Sequence, residues 1–250
     1  MPGDPAREPT QAVAGRTPSA ASHEAIAAVP EPPPSTALPP GAQQAVQAAH
    51  VLLDEAVRGG SRRMLGITGA PGAGKSTLTA LLASHLSAGS CAVVPMDGFH
   101  LADAALERMG LRDRKGAPAT FDATGYAALL QRLRTALRHD PPVWAPMFER
   151  DLEQPIAGAI DVPGGVPLVI TEGNYLLLDE GPFAQVRALL DEVWFVETPE
   201  DLRHHRLIAR HELFGKDPQA ARAWALGPDE SNARIVAATR ARADRVFALV

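Results

Sequence analysis

Short apolar runs alternate with stretches of helical periodicity along most of the chain. Val46, Ala49, Leu53 and Val57 recur at helical spacing, and Gly59-Gly60 supplies a stop. Residues 63–68 (RMLGIT) read as a strand, and residues 75–86 as a helix that follows a glycine-rich turn. Residues 91–96 (CAVVPM) predict a second buried strand, in which Pro95 requires that the local amide stay unpaired. A helix is expected over 124–139, with Tyr126, Leu130, Leu133 and Leu137 on one face and Asp122 or Thr124 placed to cap it. Three further strands are expected at 167–171 (PLVIT), 192–196 (EVWFV) and 245–250 (RVFALV), with helices over 200–214, 217–226 and 229–242. Strands separated by helices imply a parallel sheet covered on both faces, so the expected fold class is α/β.

Residues 1–40 break this pattern. They hold ten of the 23 prolines in a background of Ala, Ser, Thr and Gly, with few large apolar side chains. Ordering such a segment would not offset its entropy cost, so residues 1–40 are expected to be a disordered tail and residues 41–250 one domain. A mis-called start site is the alternative account of that tail.

Composition narrows the function classes. No apolar run approaches the roughly 20 residues of a membrane span, so no membrane partner is expected. The N-terminus lacks the compact apolar block of a secretory signal. Cys91 is the one cysteine, which excludes an internal disulfide and suits a reducing cytoplasm. A net charge of −5 and only 5% aromatic residues argue against a dedicated nucleic-acid binder, which needs a basic face and stacking surfaces.

The strongest chemical signal is the run Gly69, Ala70, Pro71, Gly72, Ala73, Gly74, Lys75, Ser76 and Thr77, which satisfies G-x-x-x-x-G-K-[ST]. A strand is expected to end just before it and a helix to begin inside it. Backbone N–H groups in such a loop converge on one point, and the helix N-terminus adds partial positive charge there. Lys75 would neutralise β/γ-phosphate charge, and the Ser76 hydroxyl would ligate Mg²⁺. The residues thus predict a nucleotide site. The chain carries no N-K-x-D guanine-reading motif and no LSGGQ-like signature.

Ligands of parallel sheets sit beyond the carboxyl ends of strands, which directs attention to the acidic residues there. Asp97 follows the second strand in Met-Asp-Gly-Phe-His and can take a proton from an attacking hydroxyl or orient it. An ordinary Asp-Gly turn is its alternative. Glu172 follows the third strand and suits a role near Mg²⁺, holding waters; the two acids can exchange these roles. Arg203, Arg206 and Arg210 lie at i, i+3 and i+7 on one helical face, with Leu202, Ala209 and Leu213 as the stripe expected to dock. Three guanidinium groups there suit a lid closing over ATP, against the alternative of a solvated charged face. His204, His205 and His211 read as surface histidines.

These motifs together resemble the P-loop kinases that include uridine kinase, phosphoribulokinase and bacterial type I pantothenate kinase. They also resemble a bacterial group labelled nucleoside/nucleotide kinases or kinases associated with fructose transport. The matching stretches are GAPGAGKST (69–77), MDGFH (96–100), LRDRKGAPATFD (111–122), VITEGNYLLLD (169–179) and DLRHHRLIARH (201–211). The resemblance implies a P-loop NTPase fold, a five-stranded parallel sheet with helices on both faces and a helical lid. It implies transfer of the γ-phosphoryl of ATP to a small-molecule hydroxyl, with Asp97 as the catalytic aspartate, Lys75 and Ser76 on phosphate and Mg²⁺, and Arg206 or Arg210 as the lid arginine. By the same resemblance His100, Arg114 and Lys115 lie on the acceptor side, and Asn232 and Arg234 near the adenine ring. Related kinases often form dimers, so the resemblance admits a homodimer.

One stretch departs from the relatives. Pantothenate and uridine kinases carry a Tyr and following histidines where this chain has Ala-Pro-Met-Phe-Glu-Arg-Asp-Leu, with Phe148 in the tyrosine's place. Neither pantothenate nor uridine is therefore assigned. Phe148, Glu149, Arg150 and Tyr175 are candidates for lining a different pocket, one suited to a nucleoside, a sugar or a pantothenate-like acceptor. A second class of function is an ATP-binding regulatory protein, which the proline-rich tail favours. Asp97, Glu172 and the arginine face, which a pure binder does not need, favour the kinase.

Overall fold

The computed structural model describes residues 38–249, and the expected tail falls almost entirely outside the described residues. The first described element is helix α1 (Pro40–Gly59), which has proline in its first turn and is closed by Gly60 in the left-handed region. Strand β1 (Arg63–Thr68), helix α2 (Lys75–His85) and strand β2 (Cys91–Pro95) follow. Short helix α3 (Asp103–Met109) and helix α4 (Ala123–Thr135) lead into strands β3 (Val143–Glu149) and β4 (Gln154–Val162). Strands β5 (Leu168–Glu172) and β6 (Glu192–Glu197) are followed by helices α5 (Glu200–Leu213), α6 (Pro218–Leu226) and α7 (Pro228–Ala237), and then by strand β7 (Arg245–Ala248). No described helix is long and apolar enough to cross a membrane.

Five strands form the expected parallel sheet, and their order is β2-β5-β1-β6-β7. Side chains of β1 alternate between two buried clusters. Met64 packs with Tyr126, Leu130 and Val169 on the α4 face. Leu65 and Ile67 pack with Leu52, Leu78 and Trp194 beneath α1 and α2. Both faces being covered explains why β1 and β5 read as continuous apolar runs with no period of two. Each fully buried Leu or Ile contributes roughly 1.5–3 kcal/mol, so the two clusters hold the sheet rigid under the site.

Register sets the functional edge. Ile67 of β1 and Pro95 of β2 both pair with Glu172 of β5, so three strands end in one row. Residues just beyond that row are brought together although they are far apart in sequence. Pro95 is tolerated because β2 is an edge strand of the sheet.

Several expectations are corrected. The inward face of α1 is an alanine-rich stripe with Leu52 and Leu53, whereas Val57 points to solvent. Helix α4 stops at Thr135, capped at its start by Asp122, and Leu137 lies beyond it, exposed. The expected 229–242 helix is α7 plus a separate turn at Arg240–Arg242. The β3–β4 hairpin was not expected at all. Its alternation is obscured by Pro146, Pro155 and Gly158 and by a register shift between Ala145 and Met147. In α5 the stripe Leu202, Ala209, Leu213 does not dock: Leu213 is 80% exposed, and Leu207 with the stem of Arg203 is buried instead.

Candidate active site

A cleft of about 620 Å³ opens at the carboxyl edge of the sheet, above the ends of β1, β2 and β5. One wall is the phosphate-binding loop, whose residues Pro71, Gly72, Lys75 and Ser76 face the cavity. Gly72 has φ 79°, and a Cβ there would lie 2.8 Å from Leu207 Cγ and 2.9 Å from the Arg203 carbonyl oxygen. A glycine is needed both for that backbone and for the close seat of α5 on the loop. Gly69, Ala70, Ala73, Gly74 and Thr77 shape the loop and the start of α2 without facing the cleft, and Thr77 is exposed.

Lys75 is buried, and its Nζ donates to the carbonyls of Gly69 (3.0 Å) and Ala70 (3.2 Å). Burial pulls its pKa below the ordinary lysine value, with the charges of Glu172 and Asp97 opposing the shift. Such a desolvated ammonium, held only by carbonyls, is suited to receive phosphate oxygens. The Ser76 hydroxyl donates to Glu172 Oε1 at 3.0 Å. Glu172 is the last residue of β5 and is buried; desolvation and the neighbouring Asp97 charge push its pKa up, against Lys75 and the Ser76 hydrogen bond. A hydroxyl and a carboxylate converging beside a phosphate loop form an all-oxygen donor set, which fits Mg²⁺.

The raised Glu172 pKa has a consequence for stability. At acid pH the group is protonated in both folded and unfolded chains. As pH rises through the ordinary carboxylate range the unfolded chain ionises first, so the nucleotide-free fold loses stability until the folded value is passed. Glu172→Gln should therefore raise the Tm of the nucleotide-free protein at neutral pH, with less gain in acid. The same variant should weaken Mg²⁺-dependent ATP binding by about tenfold, because a neutral amide is a poorer partner for the hard cation. A pH series of thermal melts with and without MgATP checks both signs.

Asp97 sits in a 3₁₀ turn, Met96–Phe99, directly after β2, and its carboxylate faces the cleft. Gly98 allows that turn to press on the hairpin, since a Cβ there would collide with the Pro146 carbonyl. His100 Nδ1 lies 2.8 Å from the Asp97 carbonyl oxygen. A carbonyl only accepts, so Nδ1 carries the proton. Burial also lowers the His100 pKa, which leaves a neutral ring with Nε2 as an acceptor.

The 112–122 loop is tied to this turn by two backbone hydrogen bonds, Leu101 N–H to the Thr120 carbonyl and Asp122 N–H to the Phe99 carbonyl, which together make the His100–Phe121 antiparallel bridge. Lys115 thereby reaches the cleft, donating to Asp103 Oδ1 (2.8 Å) and to the Glu153 carbonyl (2.6 Å). Arg112 and Asp113 line the cavity, whereas Arg114 is exposed and turned away. Phe148 lines it beside His100, their ring centroids 4.7 Å apart. Arg150 lines it too, but Glu149 does not.

Tyr175 is buried and does not line the cleft. Its hydroxyl donates to the Gly116 carbonyl at 2.5 Å, so it positions the Lys115 loop from below. Tyr175→Phe leaves that carbonyl without its partner, and acceptor KM should rise by about tenfold with a smaller change in kcat. Steady-state kinetics with the acceptor varied at saturating ATP measures this.

Helix α5 separates its three arginines. Arg210 faces the cleft. Arg206 is exposed, with its Nη1 close to Gly74. Arg203 is buried and bonded to Glu230 of α7, beside a second hollow of about 250 Å³ behind the loop. Helix α7 separates Asn232, which is buried and faces the cleft, from Arg234, whose side chain is 79% exposed at the second hollow. Two of the histidines read as surface residues are engaged: His204 pairs with Glu230 at 3.0 Å, and His211 with Asp229 at 2.7 Å. His211, Asp229, Phe214, Lys216 and Trp224 all line the cleft. None of them was singled out for it from sequence, because they are spread over α5, α6, α7 and the α5–α6 turn, which carries Phe214 and Lys216 and brings no recognisable motif.

Residues 64–217 match the family described as "Phosphoribulokinase / Uridine kinase family". An ATP-dependent kinase-like protein, notR', of Aspergillus versicolor is 38% identical over 133 residues, 51% of this chain and 77% of the relative. The uncharacterised protein YggC of Escherichia coli K12 is 36% identical over 170 residues, 66% of this chain and 69% of the relative. Among solved structures, a candidate fructose transport system kinase from Silicibacter sp. TM1040 superposes with TM-score 0.73 at 39% identity, covering 81% of this chain and 98% of that one. YFH7 of Saccharomyces cerevisiae, at 17% identity and TM-score 0.69 over 82% of this chain and 98% of that one, shares the fold.

Proposed function

Because the chain belongs to the phosphoribulokinase/uridine kinase family, we propose that it moves the γ-phosphoryl group of ATP to a hydroxyl of a small-molecule acceptor. The observation that carries this reading is that Lys75, Ser76, Glu172 and Asp97 open on one cleft from three adjacent strand ends. A protein that only stored nucleotide would not need a carboxylate at the end of β2 facing the same cavity.

Lys75 and the loop amides hold the phosphates, and the N-terminus of α2 adds its dipole. Ser76 and Glu172 would hold Mg²⁺, which neutralises charge on the transferring group when bound. Asp97 accepts the acceptor's hydroxyl proton as its oxygen bonds to the γ-phosphorus and the bond to the β-phosphate oxygen breaks. Arg210 counters the charge that spreads over the transferring group. The neutral His100 accepts a second hydroxyl or N–H of the acceptor and so orients it. Positioning and electrostatics, more than covalent chemistry, supply the rate.

Acceptor-dependent ADP release across nucleosides, sugars, sugar acids and pantothenate tests the proposal. Release that requires both Mg²⁺ and an acceptor supports phosphotransfer. Tight ATP binding with no acceptor stimulation in any class would instead favour the regulatory protein.

A further inference from the structure

The cleft is lined by six carboxylates and six lysine or arginine side chains, so the sum of charges decides nothing; the pairing does. Asp103 is bound by both Lys115 (2.8 Å) and Arg112 (3.0 Å), and Asp229 by His211 (2.7 Å). Two cations on the acceptor side have no such partner. Lys216 makes no ion pair among the described residues, and its Nζ stands 4.9 Å over the Trp224 ring. Arg150 makes only a long contact, 3.9 Å, with Asp97 Oδ2, and its guanidinium stands 6.0 Å over the Phe214 ring. Aromatic faces hold these cations in place but do not neutralise them.

The two come from opposite walls. Arg150 is at the tip of the β3–β4 hairpin and Lys216 is in the α5–α6 turn, two residues beyond the Phe214 on which Arg150 rests. Lys75 and Arg210 are the cations assigned above to the phosphates, which leaves the hairpin and turn cations for the other substrate. Resting on the phosphotransfer reading above, we infer that the acceptor is an anion whose carboxylate or phosphate group is held between Arg150 and Lys216 while its hydroxyl meets Asp97. Arg150 Nη2 lies 3.9 Å from Asp97 Oδ2. With a hydrogen bond at each end, hydroxyl and anionic group lie within about 10 Å of each other. Sugar acids, hydroxy acids and sugar phosphates meet that span; an uncharged nucleoside leaves both cations without a counter-charge.

The test uses matched probes on two scaffolds: glycerol, glycerate and glycerol 3-phosphate, then ribose, ribonate and ribose 5-phosphate. Calorimetric binding to the full chain loaded with MgADP is measured beside acceptor-dependent ADP release with MgATP. At least one anion is expected to bind more than about tenfold tighter than its neutral parent, the two anion types telling carboxylate from phosphate. Arg150→Gln combined with Lys216→Gln should remove that preference while Tm stays near wild type, since neither side chain is buried. Neutral parents binding as well as the anions, no binding of any anion at millimolar concentration, or a preference that survives the double substitution would each overturn the inference. Anion binding that depends on both cations, with no ADP release from any probe and none from the wider panel, would preserve the anion site and remove the phosphotransfer reading instead.

Discussion

Asp97→Asn is expected to lower acceptor-dependent kcat by roughly 10²–10⁴-fold, the usual contribution of a positioned general base, with little change in ATP affinity. The amide keeps the volume and the turn geometry of the aspartate but cannot take a proton. Sequence alone left Asp97 and Glu172 interchangeable; their environments differ. Glu172 is buried at the end of β5, and one of its oxygens already accepts the Ser76 hydrogen bond. Asp97 is a third exposed, lines the cleft and has Arg150 and His100 as neighbours on the acceptor side. Single-turnover phosphoryl transfer with preloaded MgATP isolates the chemical step. A normal rate in Asp97→Asn together with a dead Glu172→Gln would reverse the two assignments.

Arg210→Ala should lower kcat on the order of 10³-fold, because Arg210 is the α5 arginine that faces the cleft in which the proposed transfer would take place. Arg203→Ala, on the same helix face by sequence, should behave differently. Its side chain is buried and bonded to Glu230, so its loss leaves a largely buried carboxylate with only His204 and the more distant Arg234. That should cost about 3 kcal/mol, the low end for breaking a buried pair, and lower Tm by several degrees. Thermal melts and kcat measured side by side separate the two arginines. Equal kcat losses at unchanged Tm in both variants would return Arg203 to the lid. Arg206 is solvent-exposed beside Gly74, and its removal should act mainly on KM for ATP.

Much of the site was legible in the chain because its signals are local. The phosphate loop needs glycines, a lysine and a hydroxyl at fixed spacing, since one short stretch of backbone makes the whole cradle. The parallel strands announce themselves as apolar runs because both faces of the sheet are covered. Asp97 and Glu172 could be picked out because a carboxylate ending such a run has one address, the carboxyl edge of the sheet. The hairpin was illegible for the converse reason: it packs with one face to solvent, and Pro146, Pro155 and Gly158 break its alternation.

What sequence alone determined, then, is the α/β class, the nucleotide loop and the pair of strand-end acids. Each rests on spacing within a few residues and on periodic burial. Tertiary structure decided which member of each equivalent set faces the cleft. Arg210 rather than Arg203 faces the cleft because α5 docks through Leu207 on Gly72, which turns Arg203 inward to Glu230. Arg112 and Lys115 rather than Arg114 line the cleft because the 3₁₀ turn Arg112–Arg114, with three residues per turn, puts positions 112 and 115 on one side. Arg150 reaches the turn that carries Lys216 by resting on Phe214, more than 60 residues away in the chain, and no local pattern encodes a contact of that kind.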